Sequence, residues 1–215
     1  MLLPASATTL RVESLDTLLK PFTGQALSQS QFDQLQIYLD LLVKWNAKIS
    51  LTAIQDPEEI TRRHFGESLF AGTKLQLDRV STLIDFGSGA GFPGLPIKVL
   101  APHVEVTLIE SQQKKVAFLR EVIRTLKLKK TNVYAGRGEE SRLTAEIVTM
   151  RAVERFEAAL PIAASLLSNS GRLGLLVGSG QVEIARNALQ NFAWQSPVSL
   201  PASEQRVLLI GQANS

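Results

Sequence analysis

The period of the hydrophobic positions changes once along the chain, and the change divides it. From Ser28 onward Phe32, Leu35, Leu39, Leu42 and Val43 recur at helical spacing, and Ser28 followed by Gln31 is a capping-box signature. An amphipathic helix is expected from there to about Trp45. Asp56-Pro57-Glu58-Glu59 is a second start signal, with Asp as N-cap, Pro in the first turn and acids where the helix dipole favours them. This helix should run to about Leu75. With a weaker helical segment around Leu10 to Leu19, residues 1–78 are expected to form a helical extension packed on residues 79–215 as one structural unit.

From Thr82 the runs are short and β-rich: Thr82 to Phe86, Val104 to Ile109, Asn132 to Tyr134, Ile147 to Thr149 and Gly171 to Val177. Helical stretches ending in Ala101 and Leu128 separate the first three, which predicts βαβ units and a parallel sheet. A last pair, Ala193 to Leu200 and Arg206 to Ile210, has no room for a helix between its members and predicts a closing antiparallel hairpin. The expectation is an α/β fold with a seven-stranded, mostly parallel sheet.

The 215 residues, 45% hydrophobic, fit one domain with a small extension. The absence of cysteine excludes disulfides, thiolate metal sites and a cysteine nucleophile, and no metal site is expected. Met1-Leu2-Leu3-Pro4 is too short for a signal sequence and no apolar run approaches the ~20 residues of a membrane span, so a cytoplasmic protein is expected. A formal charge of +3 favours polyanionic partners only mildly.

Gly87, Gly89, Gly91 and Gly94 sit where a strand passes into a helix, and two registers fit them. Gly89 to Gly94 matches the dinucleotide G-x-G-x-x-G spacing, whereas Asp85-Phe86-Gly87-Ser88-Gly89 matches the acidic-x-Gly-x-Gly turn of class I methyltransferases. An aspartate before the turn would oppose a pyrophosphate but suits the sulfonium and ammonium of S-adenosylmethionine. Glu110, at the end of the second strand, stands where an acid accepts ribose hydroxyls in either cofactor class. A nicotinamide-dependent enzyme is the weaker alternative, because no stretch is left for a separate substrate domain.

Trp45-Asn46, Leu51-Thr52, Asp56-Pro57-Glu58-Glu59, His64, the turn Gly87 to Gly94, Lys114-Lys115-Val116-Ala117-Phe118-Leu119 and Arg151-Ala152 together resemble the RsmG family, also called glucose-inhibited division protein B. The resemblance runs from about Phe32 to Leu189. It implies a class I, Rossmann-like fold, S-adenosylmethionine as cofactor, and methylation of N7 of guanine 527 in 16S ribosomal RNA. It further implies a monomer acting on that RNA or on the 30S subunit, away from membranes. Gly87 and Phe92, with Gly89 between them, carry over as cofactor contacts of the turn. Gly138 and Glu139 carry over as adenine contacts, Glu110 as the ribose acid and Arg151 as the remaining cofactor-site and catalytic residue. The sequence departs from the family pattern at Ser50 for Asn, Glu67 for Asp, Met150 for Ser and Val177 for Lys, and position 177 is left out of the site.

The residue types agree with that chemistry. Carbon-5 methylation of pyrimidines relies on a cysteine, and the Asn-Pro-Pro-aromatic motif of amine methylation is absent; a ring nitrogen needs neither. The guanidinium of Arg151 is expected to pair with the cofactor carboxylate or a substrate phosphate. Arg137 and Arg155 share its position near strand ends. His64 reads either as a packed histidine, in step with Ile60 and Ser68, or as an RNA contact. Lys114, Lys115, Arg120, Arg124, Lys127, Lys129 and Lys130 form either a solvated face or an RNA guide. An RNA-binding assembly factor that keeps the cofactor pocket is the competing reading.

Overall fold

The computed structural model describes residues 12–24 and 26–214. The opening Met1 to Pro4, and Leu10 of the first expected helix, lie outside the described residues. Helix α1 (Val12–Thr23) is followed by α2 (Gln29–Asn46), whose start is the capping box read from the sequence. The Ser28 hydroxyl accepts from Gln31 N–H and the Gln31 side chain accepts from Ser28 N–H. The segment begun by Asp56 is α3 (Pro57–Ile60), a π-turn over Thr61–Gly66, and α4 (Glu67–Lys74). Asp56 caps it by accepting from Glu59 N–H at 2.8 Å. Gly66 has no side chain because the Phe22 ring of α1 occupies that space; a Cβ there would lie 2.6 Å from the ring.

Next come β1 (Thr82–Phe86), α5 (Gly94–Leu100), β2 (Glu105–Glu110), α6 (Gln113–Thr125), β3 (Thr131–Ala135) and β4 (Ala145–Arg151). The chain ends with α7 (Phe156–Ser165), β5 (Leu167–Gly178), α8 (Val182–Ala188), β6 (Phe192–Trp194), β7 (Val198–Ser199) and β8 (Arg206–Ala213). The sheet order is β3-β2-β1-β4-β5-β8-β6, parallel through β5 and antiparallel at β8. The expected closing hairpin is present with one difference. Its first strand is split by Gln195-Ser196-Pro197 into β6 and a two-residue β7, and both pieces pair with β8. Pro197 has no N–H to give the ladder, which accounts for the break and for an eighth strand where seven were expected.

Two hydrophobic clusters sandwich the sheet. One joins Leu35, Leu39 and Leu42 of α2 to Leu95 of α5 and Phe118 of α6. The other joins Ile84 and Val148 of the sheet to Leu160 of α7 and Ala185 of α8. No helix among the described residues is long and apolar enough to cross a membrane. The strand order reverses between β1 and β4, and ligands of open α/β sheets bind at the carboxyl ends of the strands beside such a point.

Candidate active site

β1 ends in Asp85-Phe86, and the next residues cannot continue it. Gly87, Gly89 and Gly91 all take positive φ, at 68°, 57° and 95°, so the chain doubles back within five residues before entering α5. The Ser88 hydroxyl donates to the Asp85 carbonyl and Ser88 N–H donates to the Ile109 carbonyl, both at 2.9 Å, which ties the turn to β1 and β2. At Gly91 a side chain would strike the Tyr38 hydroxyl and Leu95, whereas at Gly89 it would meet no atom closer than 3.9 Å. Gly91 is therefore a packing glycine, and Gly89 leaves open space for something other than protein.

Asp85 does not face that space. It is fully buried, with one carboxylate oxygen accepting from Gly94 N–H at 3.1 Å and the other from the Thr149 hydroxyl at 2.9 Å. This corrects the expectation that its charge sits opposite the cofactor: the carboxylate pins β1 to β4 and to the first residue of α5. Burial pushes its pKa up to about 6, against the opposing pull of those hydrogen bonds and of Arg151.

A cavity of about 410 Å³ opens over the carboxyl ends of β1, β2 and β4 and is lined also by Leu51, Thr52 and His64 of the N-terminal part. Gly87, Gly89, Phe92, Glu110 and Arg151 all line it. Glu110 accepts from Gly89 N–H at 2.9 Å and from Gln112 N–H at 2.8 Å, one on each oxygen. A carboxylate offers about four acceptor sites, so two remain for ribose hydroxyls. Gly138 and Glu139 are not among the lining residues. Gly138 packs on the Phe86 ring, and exposed Glu139 lies 3.8 Å from the Arg137 guanidinium. Arg155 is exposed on the start of α7, also outside the cavity.

The other wall comes from the helical layer. The Phe92 ring stacks on Tyr38 at 5.3 Å and on His64 at 4.9 Å between centroids, and meets Phe65 edge-on. The buried Tyr38 hydroxyl donates to the Ala90 carbonyl, joining α2 to the turn. His64 lies 2.7 Å through Nε2 from the Thr52 hydroxyl, and its Nδ1 is buried without a protein partner. Burial, reinforced by Arg151, Arg63 and Arg206, lowers its pKa to about 3, so the ring is neutral at physiological pH. Arg151, at the end of β4, sits 3.1 Å from Glu67 of α4, a contact at ion-pair distance whose angle is not that of a hydrogen bond. Arg206 donates from Nε to the other Glu67 oxygen at 2.8 Å. Burial lowers the Arg151 pKa, an effect partly offset by Glu67.

Tyr38, Thr52, Glu67 and Arg206 enter the site without having been singled out for it. Glu67 was visible as a departure from a family pattern, and Thr52 as part of a motif. Tyr38 falls within the hydrophobic face of α2 and carries no separate signal. Position 177 is resolved in the other direction: Val177 is buried in the second hydrophobic cluster with Met150, away from the cavity.

A family model described as rRNA small subunit methyltransferase G matches residues 31–205. The ribosomal RNA small subunit methyltransferase G of Halalkalibacterium halodurans is 34% identical over 207 residues, covering 89% of this chain and 87% of its own. That of Streptococcus thermophilus is 40% identical over 185 residues, covering 81% and 78%. Among solved structures, a ribosomal protein L11 methylase of Lactobacillus delbrueckii subsp. bulgaricus superposes with a TM-score of 0.61 at 11% identity, covering 72% of this chain and 80% of that one. A SAM-dependent O-methyltransferase of Thermotoga maritima gives 0.60 at 13%, covering 83% and 71%. At such identities these two establish the class I methyltransferase fold alone.

Proposed function

We propose that this chain, which belongs to the rRNA small subunit methyltransferase G family, transfers a methyl group from S-adenosylmethionine to N7 of guanine 527 in 16S ribosomal RNA. In this reading it acts in the cytoplasm as a monomer, on the RNA or the 30S subunit, with residues 1–78 and 79–215 working as one unit. The observation that carries it is the cavity over β1, β2 and β4. It combines a turn whose glycines leave room for a ligand, an acid with free lone pairs at the end of β2, and an aromatic wall.

The residues fit the cofactor. The site volume lies in the ~300–1,000 Å³ range of small-molecule pockets. Gly87, Gly89 and Phe92 would contact it along the turn and Glu110 would take the ribose. Gly138, packed on the Phe86 ring, and Glu139 next to it would bound the adenine, and Arg151 would meet an anionic group. When bound, S-adenosylmethionine supplies a methyl group on a sulfonium, and guanine N7 presents a lone pair, so no proton has to be removed.

The protein's part is to orient and to exclude water. Transfer would move positive charge from the sulfonium to the purine ring, and walls that present no competing cation would suit it. The neutral His64 ring stacked on Phe92 presents no imidazolium to repel either cation. The charge of Arg151, which would oppose both, is partly balanced by Glu67 at 3.1 Å.

Incubation with methyl-labelled cofactor and 30S particles lacking this modification should place the label on N7 of the target guanine, read by mapping the RNA. Label confined to protein or small molecules overturns the reading. Naked 16S RNA run in parallel identifies the form of substrate used.

A further inference from the structure

Residues 47–56, between α2 and α3, have no helix or strand of their own, yet Leu51 and Thr52 line the cavity over β1, β2 and β4. Such a segment keeps one shape only where side chains tie it down against its conformational entropy. Asn46, the last residue of α2, does so: its Oδ1 accepts from Thr52 N–H at 2.9 Å and its Nδ2 meets the Ile54 carbonyl at 3.5 Å. The Thr52 hydroxyl continues the connection. It accepts from Ile54 N–H at 3.2 Å and lies 2.7 Å from His64 Nε2, and the His64 ring stacks on Phe92 of the glycine turn. At the other end the Trp45 ring sets the end of α2 against Phe118 of α6. His64 stands in the π-turn, a rare widening of a helix found mostly at functional sites.

The sheet order locates what the segment faces. In the cofactor reading, S-adenosylmethionine extends from Gly138 after β3, past Glu110 at the end of β2, to Gly87 at the end of β1, so its methyl lies toward β4. The cavity continues there, lined by Ala152 and Val153 after β4. Val153 lies over the turn itself, since a Cβ at Gly87 would come within 3.0 Å of its Cγ2. Ala152 holds φ of 48°, a left-handed strain of the kind that folded proteins keep at functional sites. Thr52 belongs to the same side: among charged groups, Arg151 at the end of β4 acts most strongly on the His64 ring that Thr52 touches. Leu51, Thr52, Ala152 and Val153 are uncharged, and Arg151 and Glu154, which flank them in the cavity, are of opposite sign. Such a lining suits a flat, neutral ring turned out of an RNA stack better than it suits a phosphate.

We infer that Leu51 and Thr52, with Ala152 and Val153, form the slot that receives the target guanine, and that Asn46 is the positioning residue that holds Leu51 and Thr52 there. The inference rests on the methyl-transfer reading above and adds the acceptor side of the cavity to it.

Two pairs of substitutions test the slot. Asn46→Ala removes both contacts of the side chain, whereas Asn46→Asp keeps an oxygen that accepts from Thr52 N–H. Thr52→Val keeps the shape of the side chain and loses the hydroxyl, whereas Thr52→Ser keeps the hydroxyl. Circular dichroism verifies folding, and where Asn46→Ala is unfolded the Thr52 pair carries the test. Methyl transfer to 30S particles lacking the modification gives kcat and KM, and calorimetry gives the Kd for S-adenosylhomocysteine. A base held out of line reacts slowly even when bound, so Asn46→Ala and Thr52→Val should lower kcat roughly tenfold or more while that Kd stays within about twofold of wild type. Asn46→Asp and Thr52→Ser should recover most of the lost kcat. A loss of S-adenosylhomocysteine affinity in proportion to kcat overturns the slot, as does equal kcat within each pair. Wild-type protein that binds S-adenosylhomocysteine but places no methyl on the RNA overturns the reading on which the slot rests, and is seen before any variant is compared.

Discussion

Each glycine of the turn between β1 and α5 answers a different constraint, and only some of them concern the ligand. Gly89 has φ of 57° and open space where a Cβ would go, so Gly89→Ala meets only the left-handed backbone cost of about 1–2 kcal/mol. The added methyl lies on the cavity wall. Gly89→Ala should therefore fold, with a thermal midpoint a few degrees lower, and bind S-adenosylhomocysteine at least tenfold more weakly by calorimetry. Gly91→Ala faces the Tyr38 hydroxyl and the Leu95 side chain as well as φ of 95°. It should be recovered mainly as insoluble or unfolded protein, judged by circular dichroism. The sequence shows both residues as members of one motif and cannot tell them apart, because the atoms that Gly91 avoids come from α2, 53 positions away at Tyr38, and from α5. Asp85 was legible as an acid before the turn but was given the wrong partner. Its true neighbours, Thr149 and Gly94, are brought to it by strand pairing and by the turn itself.

At the scale of elements, periodicity located α2, α6 and every strand of the parallel sheet, and capping chemistry the starts of α2 and α3, since both signals are local, whereas α7 was not read from the sequence. The π-turn over Thr61–Gly66 was not legible: the spacing of Ile60, His64 and Ser68 reads as ordinary helix, and the wider turn is seen only where α1 packs against Gly66. Nor was the join of β1, β4 and α5 through Asp85, which has a measurable consequence. The carboxyl's pKa rises from the ordinary 3.8 to about 6 on folding, so between those values the folded protein binds more proton than the unfolded chain. Stability contributed by this group is then lost as pH rises from about 4 to 6. Asp85→Asn removes the titration while its amide can still accept from Gly94 and meet Thr149. The stability of the variant relative to wild type, from urea unfolding, should increase by on the order of 1.4 kcal/mol per pH unit across that window and level off above pH 7. His64 titrates in the opposite sense, its folded pKa being lowered, but it is present in both proteins and cancels in the difference. A difference that is flat with pH would show that burial does not raise the Asp85 pKa.

For the molecule as a whole, the question left by the sequence is what its positive charge is for. The basic run from Lys114 to Lys130 reads as one patch in the sequence, but α6 spreads it along the depth of the sheet. Lys114 and Lys115 begin α6 beside the carboxyl end of β2, and Lys115 lines the cavity. Lys127, Lys129 and Lys130 follow its end and lead into the first residue of β3, at the opposite edge of the sheet. A ribosomal RNA presenting one base to the cavity would lie across the first edge, and charges farther than about 10 Å from its phosphates are largely screened at about 0.1 M salt. Reversing Lys114 and Lys115 to Glu should therefore raise KM for 30S particles several-fold at saturating cofactor and flatten the dependence of log KM on log salt. Reversing Lys127, Lys129 and Lys130 changes the net charge more and should change KM less. If attraction to RNA came from overall charge, the order of the two effects would be inverted, so the pair of variants distinguishes a local docking edge from a general electrostatic field.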